Sequence, residues 1–138
     1  MFSIKSMMLI LSLMIMTGPV YSQTDSFGVS SCGWLENPSP ANIWYTDISG
    51  QWMIAQQGKA GLSDDQMNQL YLAMSNKDEF VKTNNNYGFS CVCLKMDVDS
   101  NAQRVSKVYQ AKQVLLKQCL ENNSIISLMP IVLTDIID

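Results

Sequence analysis

Residues Cys32 to Trp52 read CGWLENPSPANIWYTDISGQW and hold all three tryptophans of the chain. Pro38 and Pro40 fix their own φ and push Asn37 and Ser39 out of the helical region. The segment after Trp34 is therefore expected as a stiff, extended or turning loop that no helix runs through. Ile43 to Asp47 and Gln51 to Ala55 have the aromatic and β-branched composition of strands. Between them, Asp47 suits the start of a type I turn and Gly50 the left-handed position that closes a three-residue hairpin loop. That loop sets Thr46 opposite Trp52 and Trp44 opposite Ile54. Trp44, Thr46, Trp52 and Ile54 then share one face, and Ile43, Tyr45, Met53 and Ala55 the other. Both faces are largely apolar, so the hairpin is expected inside the fold with no wet side.

Downstream, Ser63-Asp64-Asp65-Gln66 has the spacing of a capping box, with Gln66 placed to reach back to Ser63. Met67, Leu70, Tyr71 and Met74 follow at the spacing of one helical stripe, which predicts a helix from about Asp64 to Ser75 packed on the sheet. Phe80 to Thr83 reads as a short strand. Thr83 to Gly88 is an Asn-rich turn, since asparagine tolerates left-handed backbone. Phe89 to Val98 and Arg104 to Val114 read as a strand and its return. The connection Asp97-Val98-Asp99-Ser100-Asn101 imitates the start of a calcium loop. However, Ala102 stands where that loop needs glycine and Val108 where it needs the bidentate glutamate, so it reads as a hairpin turn. Leu115 to Glu121 is a candidate short helix ending at Asn122-Asn123. The apolar tail from Ile125 to Asp138 is either an added edge strand or loose.

The chain opens with Lys5, an apolar run from Met7 to Met16, and small residues at Val20 and Ser22. That pattern predicts a signal peptide over residues 1–22, cut after Ser22, and a single domain over residues 23–138. The apolar run is too short for a membrane span, which takes ~20 residues. Its removal takes away one lysine and no acid, so the net charge goes from −3 to −4. No basic block remains, which argues against nucleic acid and anionic membrane surfaces as partners.

Cys32, Cys91, Cys93 and Cys119 are an even set in a chain read as exported, the pattern of a disulfide framework. Cys91 and Cys93 lie two apart on a strand and share a face, where a bond between them would be badly strained. Cys32 and Cys119 are therefore each expected to pair with one of them, in an order the spacing leaves open. A C-x-C pair is a poor zinc or redox signature, and no metal or cofactor is expected. The chain has no histidine. That removes Ser-His-Asp and Cys-His catalysis and histidine metal sites. A carboxylate pair would be the remaining route to a hydrolase. Asp47, Asp97 and Asp99 are the acids to consider, but Asp47 is better explained by its turn, and Asp97 and Asp99 by solvent. The three tryptophans offer a ring platform for a sugar as well as a core. Trp34, Trp44 and Trp52, together with Asn85, Asn86 and Tyr87, are the candidate ligand surface.

Cys32-Gly33-Trp34, Asn37-Pro38-Ser39-Pro40-Ala41-Asn42 and Thr46-Asp47 with Gly50 and Trp52 resemble a bacterial secreted family, domain of unknown function 4087. Thr83-Asn84, Asn86-Tyr87-Gly88, Cys91-Val92-Cys93-Leu94 and the lone Cys119 match it in the same order. The chain departs from that pattern between Gly58 and Phe80, where it is longer and more helical. The resemblance implies an exported, cysteine-bridged domain of the bacterial envelope, periplasmic or secreted, and carries no catalytic residue. The reading is a small α+β domain: a mainly antiparallel β-sheet, one or two short helices and two disulfides. Its expected role is a non-catalytic binding or inhibitor-type module, with an envelope protein or a glycan as partner. A carboxylate-based envelope hydrolase and a tryptophan-based glycan- or peptidoglycan-binding module are the alternatives.

Overall fold

The computed structural model describes residues 26–128. Strands β1 (Ser26–Ser39), β2 (Asn42–Asp47) and β3 (Gly50–Ala55) are followed by α1 (Asp64–Leu72). Then come β4 (Phe80–Asn84), β5 (Tyr87–Asp99), β6 (Arg104–Gln113), α2 (Leu116–Leu120) and α3 (Asn123–Ile126). The sheet order is β1-β2-β3-β6-β5-β4, and β1 also pairs with β5, so five strands close on themselves. All pairings are antiparallel except one parallel bridge, Met53 with Arg104, which joins β3 to β6. Around the barrel the strands run first, second, third, fifth, fourth in chain order once β4 is set aside. The helix α1 follows the third. That is the Greek-key connectivity of an OB-fold barrel, with β4 added as an outlying hairpin strand. The α+β class, the mainly antiparallel sheet, the short helices and the two disulfides are all present as the sequence reading had them.

Two layers of apolar side chains follow from the period of two. Leu35, Ile43, Tyr45, Ile54, Val92, Leu94, Met96, Val105 and Val108 fill the barrel, with Leu70 of α1 and Ala73 and Met74 just after it closing its open side. Trp34, Phe89, Cys91, Cys119 and Ile125 form a second core outside the barrel, beneath α2 and α3. In β6 the two buried valines are three apart, because bulges between Lys95/Met96 and Asp97/Val98 slip the ladder. A bulge takes one residue out of register, so strict alternation fails there.

Several expectations change. The segment after Trp34 is extended as expected, but it is the end of a 14-residue strand rather than a loop. The hairpin loop has two residues, not three: Asp47 pairs with Gly50 and Tyr45 with Trp52, while Trp44 pairs with Met53. The Asp47 carboxylate accepts from the Ser49 N–H at 2.9 Å, which tightens the turn. Trp44 and Trp52 therefore lie on opposite faces, and the Trp44 face is only half covered. Helix α1 ends at Leu72, and Tyr71 stays 45% exposed, so the buried stripe is narrower than the spacing suggested. Gln66 does not complete a capping box. Its Nε2 donates to Ser63 Oγ at 3.0 Å, and its Oε1 accepts from the Val108 N–H at 2.6 Å. The side chain thus occupies a strand-edge donor in the gap between β3 and β6. Asn122 starts a further helix by accepting from Ser124 N–H at 3.0 Å, so the chain turns there instead of stopping. Ile125 and Ile126 lie in that helix, Ser127 and Leu128 form a turn after it, and residues 129–138 of the expected tail fall outside the described residues.

Candidate functional site

Asp47 sits at the closed end of the hairpin and is 1% exposed. Oδ1 accepts from the Ser49 N–H, from the Ser49 hydroxyl and from Trp52 Nε1 at 3.3 Å, and Oδ2 accepts from the Ser31 hydroxyl. The Tyr45 hydroxyl donates to Ser31 O at 2.9 Å, and its burial pushes the phenol well above its ordinary value. Both carboxylate oxygens accept from internal donors and the side chain is buried, so Asp47 knits β1 to the β2–β3 turn and is not presented to a substrate. Asp47→Ala is expected to cost about 2 kcal/mol, because it strands several buried donors at once. Asp47→Asn should recover part of that loss; urea melts of the two variants read the difference.

Asp97 is not solvated, contrary to the sequence reading. It is 8% exposed, accepting from the Gly28 N–H at 2.6 Å and from the Tyr109 hydroxyl at 2.8 Å. The position of its carboxylate raises the Tyr109 phenol. Gly28 has a left-handed φ of 60°, which turns its N–H toward Asp97 and forms the bulge at the start of β1. Asp99 accepts from the Ala102 N–H at 2.9 Å and closes the β5–β6 turn. Asp47, Asp97 and Asp99 are thus each committed to separate local structure. Among the described residues, no group of three or more Cys, Asp and Glu is placed to hold a metal ion.

The three tryptophans separate. Trp34 is fully buried, stacked edge-on to Phe89 at 5.5 Å, with Nε1 donating to Ile125 O at 3.1 Å. Trp52 packs against the barrel core while its Nε1 reaches Asp47 and Ser49. Trp44 alone belongs to neither core and is half-buried on the outer face. There the cross-strand pairs set side chains in one row: Glu36 with Trp44, Trp44 with Met53, and Met53 with Arg104. Burial raises the Glu36 carboxyl above its ordinary value. Arg104 spends one N–H on Ala60 O at 3.0 Å. Glu36, Met53 and Arg104 were not singled out from the sequence. The only available signal was the hairpin register, and a one-residue error in loop length sends each side chain to the wrong face.

Asn85 and Asn86 are exposed at the tip of the β4–β5 turn, where Asn85 takes a left-handed φ of 47°, and Tyr87 begins β5. Asn86 contributes to a cleft of about 300 Å³ with Asn37, Tyr71 and Phe80, and no tryptophan lines it. The asparagine turn and Trp44 are therefore not one surface.

Cys32 pairs with Cys93, and Cys91 with Cys119. The first bond joins residues directly opposite each other on β1 and β5. The second anchors α2 over Trp34. No helix of the described residues is long and apolar enough to cross a membrane. No curated protein and no solved structure matches the chain. A match does come over residues 28–126, which runs from Gly28 in β1 to the end of α3 and includes both disulfides. On that match the chain belongs to the family described as "Protein of unknown function (DUF4087)".

Proposed function

We propose that the protein is an exported, non-catalytic binding module that holds a saccharide on the outer face of β2 and β3. The observation that carries this reading is the row Glu36, Trp44, Met53 and Arg104, with Trp44 outside both cores. An indole face with a carboxylate on one side, and a guanidinium beyond Met53 on the other, suits a sugar ring. The ring's C–H face packs on the aromatic, while its hydroxyls need charged or amide partners. The same face of OB-type barrels is used for oligosaccharides and oligonucleotides, an argument from architecture alone. The acidic balance of the chain favours the first of those two. The apolar N-terminal run and the two disulfides support export to the envelope.

Soluble peptidoglycan fragments titrated into the protein are expected to shift the Trp44 fluorescence. Trp44→Ala should weaken binding at least about tenfold, roughly 1.4 kcal/mol, and leave the melting temperature within a few degrees of the parent. Fragments that leave the fluorescence unchanged at millimolar concentration, together with capture of one envelope protein by the same bait, would replace the saccharide with a protein partner. An exported mass that does not begin at Gln23 would remove the predicted leader.

A further inference from the structure

The two disulfides differ in what surrounds them. Cys91 and Cys119 are 0% and 1% exposed and belong to the outer core. Cys32 is exposed and Cys93 half-buried. Their bond opens onto a cleft of about 220 Å³ whose lining includes Lys95, Gln110 and Lys112. Lys112 is the cross-strand partner of Cys93, and Lys95 is two residues further along the same face of β5. No carboxylate lines this cleft. An ammonium beside a cysteine sulfur favours the thiolate over the thiol, and a sulfur that leaves readily as thiolate speeds exchange. The geometry therefore distinguishes the two ends of the bond. Cys32 is the sulfur an incoming nucleophile can reach, and Cys93 is the one whose departure as an anion the lysines assist.

We propose that Cys32–Cys93 is a thiol–disulfide exchange site for a dithiol reductant, and that Cys91–Cys119 is purely structural. In the first step the reductant's thiolate attacks Cys32 Sγ. A mixed disulfide forms there, the Cys32–Cys93 bond breaks, and Cys93 leaves as a thiolate into the cleft that Lys95 and Lys112 line. In the second step the reductant's other thiol, having lost its proton to solvent, attacks its own sulfur in the mixed disulfide and releases Cys32 as a thiolate. The protein bond gains two electrons, and the dithiol becomes a disulfide. The fold tolerates this, because the β1–β5 ladder runs from Ser26 to Asn37 on backbone pairing and does not depend on the bond to stay in register.

The test is a graded reduction of the intact oxidised protein with dithiothreitol, quenched with iodoacetamide and mapped by peptide mass. Cys32 and Cys93 are expected to be alkylated together, at least about tenfold faster than Cys91 and Cys119, with the far-UV circular dichroism unchanged. Monothiol glutathione, trapped by acid, should be found on Cys32 and not on Cys93. Lys95→Ala with Lys112→Ala should slow the opening about three- to tenfold, while Lys117→Ala, away from this cleft, should not. Four cysteines that become reactive together, and only as the circular dichroism collapses, would overturn the proposal. So would glutathione on Cys93, or an opening rate indifferent to the two lysines.

Discussion

Trp34→Ala is expected to lower the melting temperature by about 15–30 °C, from a loss of roughly 3–5 kcal/mol in a domain of about 100 residues. The tryptophan is fully buried, and its removal leaves a void between the sheet and α2–α3 that the disulfide-anchored helix cannot easily collapse into. Two specific interactions go with it: the edge-on contact with Phe89 and the indole hydrogen bond to Ile125 O. Loss of that bond should free α3 first. Protease cleavage near Ser124 is therefore expected to rise before the barrel itself melts. Trp34→Phe should restore part of the packing but not the hydrogen bond, and so fall between. Differential scanning calorimetry of the three proteins decides it. A Trp34→Ala protein that melts within about 5 °C of the parent would mean the outer core is not a stabilising unit.

Gly33→Ala is expected to be at least as damaging, with a loss of at least about 3 kcal/mol, for a reason of backbone rather than side-chain volume. A Cβ at residue 33 would lie 2.2 Å from Thr46 O, a backbone atom of the neighbouring strand. No rotamer change relieves that contact, and β1 and β2 would have to separate. This is the place where β1, paired up to there with β5 alone, takes on β2 as its second neighbour. Glycine in a strand commonly marks such a close approach. The control is Gly61→Ala, whose Cβ would find its nearest neighbour, Ile54 O, at 3.9 Å. Urea midpoints should fall steeply for the first variant and stay near the parent's for the second. A Gly33→Ala midpoint equal to the parent's would place the β1–β2 crossing elsewhere.

The strands from Ile43 onward were legible because aromatic and β-branched runs sit between strong turn signals. The asparagine turn was legible because Asn85 takes the left-handed backbone that asparagine tolerates. The length and double pairing of β1 were not legible. Its first half, Ser26 to Ser31, is serine- and glycine-rich, and nothing local reveals that β5 will cover it. The hairpin register failed because Asp47 was assigned to a turn position without its side chain. The bonds to Ser49 shorten the loop by one residue, and that single residue moved Trp52 inside and Met53 outside. Asp97 was misjudged as solvated for a similar reason: its donors, Gly28 and Tyr109, lie 69 and 12 residues away in sequence. Of the candidate ligand surface, Trp44 was visible as a residue type, but the row beside it exists only through pairing.

The closed sheet also governs the order in which the chain can be assembled. β1 cannot complete its ladder until residues 88–98 exist, so the seam that defines the barrel is among the last contacts available, and such long-range pairing is slow to form. In the finished fold Cys32 passes over Cys91 to reach Cys93. A chain oxidised as it lengthens presents Cys91 first. A bond to Cys91 would displace β1 by two residues, a shift that keeps every inward side chain inward and so escapes rejection by hydrophobic pattern. The arrival of Cys119 to claim Cys91 removes this near-copy, and so does the close approach at Gly33, where a slipped β1 would bring a Cβ against Thr46 O. Helix α2 thus helps to proofread the first strand.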